Sequence, residues 1–284
     1  MSEPIPLEHL RSWVGREERR SDVLRPWPAA ALTAALDRED PPGPGDPLPP
    51  FWHHLYFLPV VAAARTGPDG HPRRGDFLPP VPLPRRMWAG GRLHWERSLR
   101  IGEELERVST VRAVDLKHGR SGPLVFVTVE HRFFAAGRPV LVEEQDIVYR
   151  EPPRPEEAFE PPLAPTPGPW QRRWRPDPVL LFRYSALTYN GHRIHYDHPY
   201  ATRVEGYRGL IVHGPLLATL MLDLLRRERP EAFVRRFDFR ATAPLFADEE
   251  LTVHGDPETA NGTVRLWVTG PRGELAMLGT VALG

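Results

Sequence analysis

Proline constrains this chain more than any other residue. There are 35, and most are gathered into runs: "DPPGPGDPLPP" (40–50), "FLPPVPLPRR" (77–86) and "EPPRPEEAFEPPLAPTPGP" (151–169). Proline holds φ at about −65° and has no N–H, so these runs cannot be helix interiors or sheet-ladder strands. The ordered elements must lie between them. The last run sits near the middle of the 284 residues and reads as a stiff linker, dividing the chain into 1–150, 151–169 and 170–284.

The two long segments show a similar order of elements. In the second, "GPLLATLMLDLLRRERP" carries Leu216, Leu217, Leu220, Met221, Leu224 and Leu225. That i, i+3, i+4 spacing predicts a helix with Pro215 in its first turn and Pro230 as its stop. Strand candidates follow in "FVRRFDFRATAPLF", "ELTVHGD", "GTVRLWVTG" and "ELAMLGTVAL", with a turn at Gly270-Pro271-Arg272-Gly273. The first segment offers a helix over about 28–38 in "WPAAALTAALDRED", then a long loop. Strands follow in "GRLHWERSLRIG", "LERVSTVRAVDLKHG", "GPLVFVTVEHRFF" and "PVLVEEQDIVYR", with Ala135–Pro139 in the corresponding hairpin position. A helix followed by an antiparallel meander, twice, predicts an α+β fold. Two sheets, each wrapping a central helix, would make a double hot-dog in one chain.

Composition narrows the partners. Lys+Arg and Asp+Glu both number 37, so a neutral chain is not built for nucleic acid or an anionic membrane. Lys117 is the only lysine, which makes any cationic site a forked guanidinium. Without cysteine there is no disulfide, thiol nucleophile or zinc–thiolate centre. No signal peptide or membrane span is expected, and the cytoplasm is the expected location.

The stretch "YNGHRIHYDHPYA" (189–201) places three histidines and an aspartate close together. The preceding "VLLFRYSALTYN" (179–190) reads as a strand entering a loop. Asp197 before His198-Pro199 suits the N-cap of a short helix. Three interpretations compete. His192, His195, Asp197 and His198 could ligate a metal, although the proline and the capping aspartate scatter their directions. The stretch could be a polar surface loop. It could instead be a catalytic loop in which a histidine is the base and an amide positions water.

A second segment bears on that choice. "VEGYRGLIVHGPLL" (204–217) leads an apolar stretch into His213-Gly214-Pro215 at a helix start. The first N–H groups of a helix lack internal partners and lie at the positive end of its dipole. Pro215 has no N–H, so the Gly214 amide is the free donor, and glycine lets a carbonyl approach closely. Ordinary capping would explain the same residues. Beside a histidine loop, an oxyanion site is the preferred interpretation.

The pair "SALTYNGHRIHYDHPYA" and "EGYRGLIVHGPLLATLM" resembles the MaoC-like, or (R)-specific enoyl-thioester hydratase, family of hot-dog proteins. Together with "FLPPVPLPRRMWAGGRLHW", it resembles the branch of hydroxyacyl-thioester dehydratase type 2 and the mesaconyl-C4-CoA (3-methylfumaryl-CoA) and itaconyl-CoA hydratases. The wider family carries Asp-x-Asn-Pro-(Leu/Ile)-His, whose Asp and His grip the water that adds to the double bond. His195 matches that histidine and Ile194 precedes it, but Asn190 stands at the aspartate position and His192-Arg193 replaces Asn-Pro. An amide does not exchange a proton at neutral pH, yet its carbonyl can hold water.

The resemblance implies reversible hydration of a trans-2-enoyl thioester. His195 is the expected base, with an unperturbed pKa of about 6.5 suited to the task. Asn190 aligns the water and the Gly214 N–H meets the thioester oxygen. His192 is expected as a supporting residue and Asp197 as a cap, with Tyr207 and Gly209 at the mouth. A carboxylate-bearing acyl group calls for an arginine: Arg183, Arg193, Arg203, Arg85 and Arg86 are candidates. The first half is expected to be catalytically degenerate and to form part of the acyl or pantetheine pocket, with adjacent His53 and His54 pointing apart. Neither metal nor cofactor is expected, because the CoA thioester is the substrate. The expected partner is an acyl-CoA or acyl-carrier-protein thioester, and the fold allows a homodimer. Rival readings are 3-hydroxyacyl-thioester dehydration in fatty acid metabolism, a non-catalytic acyl-thioester binder, and a thioesterase using Asp223, the acid on the polar side of the leucine stripe.

Overall fold

The computed structural model describes residues 5–119, 122–152, 160–257 and 262–284. After a short helix α1 (Leu7–Arg11), the first half runs β1 (Glu17–Val23), α2 (Pro26–Ala35), β2 (Arg85–Trp95), β3 (Glu104–Gly119), β4 (Gly122–Ala135) and β5 (Arg138–Arg150). The second runs β6 (Trp170–Trp174), α3 (Pro178–Thr188), α4 (Gly214–Glu228), β7 (Val234–Ala241), β8 (Leu251–Gly255), β9 (Thr263–Thr269) and β10 (Leu275–Leu283).

All these strands belong to one antiparallel sheet, ordered β1-β3-β4-β5-β2-β7-β10-β9-β8-β6. Read from its centre outward, the second half repeats the order of the first, which is the duplication the sequence suggested. Two separate sheets were expected; instead β2 and β7 pair directly, Gly90 with Arg240 through His94 with Arg236. Glycine permits that approach. A Cβ on Gly90 would sit 2.4 Å from the Phe239 carbonyl oxygen, and one on Gly91 2.9 Å from the Phe239 ring.

The helices also depart from expectation. Only α4 is a long central helix, lying against β6, β8, β9 and β10. By order α2 corresponds to α3, and the two pack together. The first half's equivalent of α4 is the stretch 36–84, whose helical pieces are no more than 3-10 turns at Trp52–Leu55 and Ala63–Arg65. The proline runs at 40–50 and 77–86 bracket it and remove the donors a helix needs.

The segment 179–190, expected as a strand, lies mostly in α3. Asp177 caps that helix by accepting the Leu180 N–H at 2.7 Å, Pro178 opens it, and Tyr189 ends it at φ 49°. Every residue from Leu216 to Leu225 of α4 is buried, so the helix is enclosed on all sides rather than striped. Asp223 is therefore buried, not on a wet face. Arg38 holds it at 3.0 Å and Arg227 at 2.7 Å.

The proposed boundary falls between β5 and β6. Residues 153–159 of the linker lie outside the described residues. Farther along, Leu163 bridges to Glu274, and Pro162 and Ala164 bond to Leu275 and Gly273. That stretch lies against the second half and is no free spacer.

Candidate active site

A cavity of about 1400 Å³ is lined by residues from both halves, including His71, Asn190, His195, Tyr207 and Gly214. It is built on the turn Arg193–His195 and the start of α4.

The histidine loop is clamped to the segment entering α4. The Ile211 N–H donates to the Ile194 carbonyl at 3.0 Å, and the His195 side chain answers it, Nδ1 lying 2.8 Å from the Ile211 carbonyl oxygen. A carbonyl only accepts, so Nδ1 carries the hydrogen and Nε2 keeps its lone pair. The ring stacks on His213 at 3.6 Å between centroids, and His213 Nε2 lies 2.8 Å from Ser185 Oγ of α3. Two helices thus fix the plane of one imidazole. Burial pushes His195 down to about 4, although the Ile211 carbonyl opposes it. The ordinary value anticipated from sequence does not hold in this enclosed site. Burial likewise holds His192 and His213 below the usual range.

Gly214 is the first residue of α4. A Cβ placed on it would meet nothing within 4 Å, and it lines the same cavity as His195. The helix start therefore faces open space rather than packed chain. Asn190 lines the cavity too, but its carbonyl oxygen accepts the His192 N–H at 3.0 Å. The group it offers most freely is its NH2, not the oxygen anticipated for water.

The metal set considered from sequence is not assembled. Asp197 accepts from Arg193 and from the Tyr200 N–H, which makes it a cap, and His198 is exposed. Two other triplets bring ligand atoms within 4.8 Å of one another: His53, His54 and Glu143, and Asp69, His71 and His192. Both are internally engaged. His53 Nε2 lies 2.9 Å and His54 Nε2 3.0 Å from the two Glu143 oxygens, so these neighbours converge instead of pointing apart. The 3-10 turn that follows left-handed Phe51, at φ 74°, aims both rings the same way.

The substrate residues scatter. Tyr207 lines the cavity beneath the Arg85 guanidinium, 4.7 Å from its ring. Gly209 packs near Phe246 and is absent from the lining. Arg183 is exposed on α3, because the helix buries Tyr184 and Ser185 instead. Arg193 donates to Asp197 Oδ2 at 2.7 Å and to the Pro68 carbonyl, so it braces the loop rather than reaching the cavity. Arg203 is exposed as well.

Sequence reasoning missed a contribution from the first half. The Arg193 N–H donates to the Asp69 carbonyl, and Gly70 packs on Gly191 so closely that a Cβ on Gly191 would lie 2.6 Å from the Gly70 oxygen. This contact places His71 against His192, with ring centroids 4.2 Å apart, and Asp69 Oδ2 lies 3.2 Å from His71 Nδ1. The only local signal was the turn-rich "GPDGHP" (67–72), which says nothing of a partner more than 100 residues away.

A profile described as hydroxyacyl-thioester dehydratase type 2 matches residues 51–247. The chain is 46% identical over 278 residues to the mesaconyl-C(4)-CoA hydratase of Chloroflexus aurantiacus, covering 96% of this chain and 97% of that one. It is 28% identical over 248 residues to the mitochondrial hydroxyacyl-thioester dehydratase type 2 of Schizosaccharomyces pombe, covering 78% and 80%. The crystal structure of a MaoC-like dehydratase from Phytophthora capsici superposes with a TM-score of 0.71 at 13% identity, covering 98% of this chain and 97% of that chain. The repeated strand order is that of the double hot-dog. The chain belongs to the hydroxyacyl-thioester dehydratase type 2 family and is an enzyme of the hydratase/dehydratase class.

Proposed function

We propose that this enzyme reversibly hydrates a trans-2-enoyl-CoA, with 3-methylfumaryl-CoA (mesaconyl-C4-CoA) as its acyl substrate. One observation carries the reading: the Ile211 carbonyl leaves the His195 Nε2 lone pair free at a cavity that the Gly214 helix start also lines. His195 takes a proton from water as the oxygen adds to C3. The π pair moves toward the thioester oxygen, where the Gly214 N–H meets the developing charge. When the carbonyl re-forms, the pair bonds C2 to the proton returned by His195. Burial makes the imidazolium a stronger acid, which favours that return. The sum is one water added. Asn190 offers its NH2 to the water oxygen. The reaction calls on no metal or cofactor.

The acyl assignment rests on the Chloroflexus relative. Dehydration of a 3-hydroxyacyl thioester, the reverse direction, is the second reading, and the yeast relative favours it. Hydrolysis by Asp223 is disfavoured, since two guanidinium groups engage its carboxylate. We assign the first half a binding role, because its stretch 53–78 supplies much of the lining. We assign the enzyme to the cytoplasm, and the family match supports acyl-CoA or acyl-carrier-protein thioesters as its partners. No helix among the described residues is long and apolar enough to cross a membrane. Chromatography at varied concentration would test for a homodimer.

The deciding assay follows the ultraviolet absorbance of the conjugated thioester with crotonyl-CoA, longer enoyl-CoAs, mesaconyl-C4-CoA and itaconyl-CoA. Absorbance should fall fastest with mesaconyl-C4-CoA. His195→Ala should lose about 10²–10⁴-fold in rate with ligand affinity kept. Unchanging absorbance with every substrate, or release of free CoA thiol, would end the hydratase reading.

A further inference from the structure

Three arginines meet where β2 begins, and two are engaged. Arg74 donates to the backbone carbonyls of Val81, at 2.7 Å, and Pro84, at 2.7 Å. Arg85 is buried, with Nε 3.2 Å from Glu205 Oε2 and its guanidinium over Tyr207. Arg86 differs. It is half-buried, lines the cavity, and forms no side-chain hydrogen bond or ion pair with any described residue. It shares that cavity with His71, His192 and His195, whose rings follow one another at 4.2 and 5.5 Å between centroids. A cation with no ion-pair partner among the described residues, half-buried on the wall of a cavity that His71, His192 and His195 also line, is a site prepared for an anion.

We propose that the Arg86 guanidinium binds the free carboxylate of the acyl group and sets the enzyme's preference for carboxylate-bearing enoyl-CoAs. The inference rests on the hydratase reading. In 3-methylfumaryl-CoA the carboxylate is attached to C3, the carbon that accepts the hydroxyl. Its cation must therefore stand beside the histidines that handle the water, not at the mouth of the cavity. Arg86 lines the cavity that His192 and His195 line. It also offsets the repulsion between a carboxylate and the oxygen approaching the same carbon. A planar fork suits both carboxylate oxygens better than an ammonium does. Of the arginines named from sequence, Arg183 and Arg203 are exposed and Arg193 and Arg85 are engaged elsewhere, which leaves Arg86.

Fumaryl-CoA and crotonyl-CoA differ only by a carboxylate or a methyl on C3, and they isolate the contact. Arg86→Gln should lower kcat/KM for fumaryl-CoA and mesaconyl-C4-CoA by about 100-fold or more, and leave crotonyl-CoA within about threefold. Arg86→Lys should fall between. Retained crotonyl-CoA turnover also shows that the variant is folded. An equal loss on both substrates, or none on either, would overturn the assignment. A binding arm keeps it testable without turnover: the wild type should hold succinyl-CoA more tightly than butyryl-CoA, and Arg86→Gln should abolish that preference. If the wild type hydrates no enoyl-CoA yet shows this preference, the reaction assignment fails and the anion site stands. If the wild type favours butyryl-CoA, the anion site fails whatever the enzyme hydrates.

Discussion

His195 was legible from its neighbours in sequence; its state was not. The spacing Asn190–His195 and the glycine–proline pair at 214–215 are local patterns that survive without coordinates. The proton's position depends on the Ile211 carbonyl, and the lowered pKa depends on burial by elements far along the chain. The consequence is measurable. Activity requires the neutral ring, so kcat/KM on crotonyl-CoA should stay level from pH 8 to about 5 and decline only toward about 4. An acid limb centred near 6.5 would show that His195 titrates as a solvated imidazole and that its burial is misassigned. The same distance in sequence hid Arg86 among its neighbours. "PLPRRM" gives no means of telling which arginine is engaged by Glu205 and which is left to the cavity.

Helix α4 and most strands were legible because their patterns span many residues, whereas α3 was taken for a strand. Its "VLLF" run fits either state, and the deciding signal was the Asp177-Pro178 start just upstream. The turn that carries His195 lies where the sequence put it, but its support was invisible. The 190–195 segment leans on the 66–72 hairpin through Gly70 and Gly191, where the backbones leave no room for a methyl. Gly191→Ala should push the turn off its support and lower kcat by about tenfold to a hundredfold on crotonyl-CoA. Far-ultraviolet circular dichroism should be unchanged, since no helix or strand runs through the contact. Wild-type kcat in that variant would mean that the hairpin does not set the position of His195.

The duplication could be read from the element order, but the continuity of the sheet could not, because strand pairing between halves leaves no local trace. The enclosure has a thermodynamic signature. Burial lowers His53 to about 4, His131 to about 3 and His195 to about 4. In the unfolded chain each titrates near about 6.5. Between those values the unfolded chain holds protons that the folded one refuses, so stability is complete above about 6.5 and is lost as pH falls toward 4. Each histidine contributes a slope of about 1.4 kcal/mol per pH unit at most. Urea midpoints measured at pH 7.5 and pH 5 should therefore fall clearly on acidification; a level or rising midpoint would contradict three neutral buried rings. The seam between β2 and β7 also ties the fates of the two copies. The first half cannot be discarded, for its departure would strip the backbone of Arg236–Arg240 of its partners and leave an adhesive margin in water.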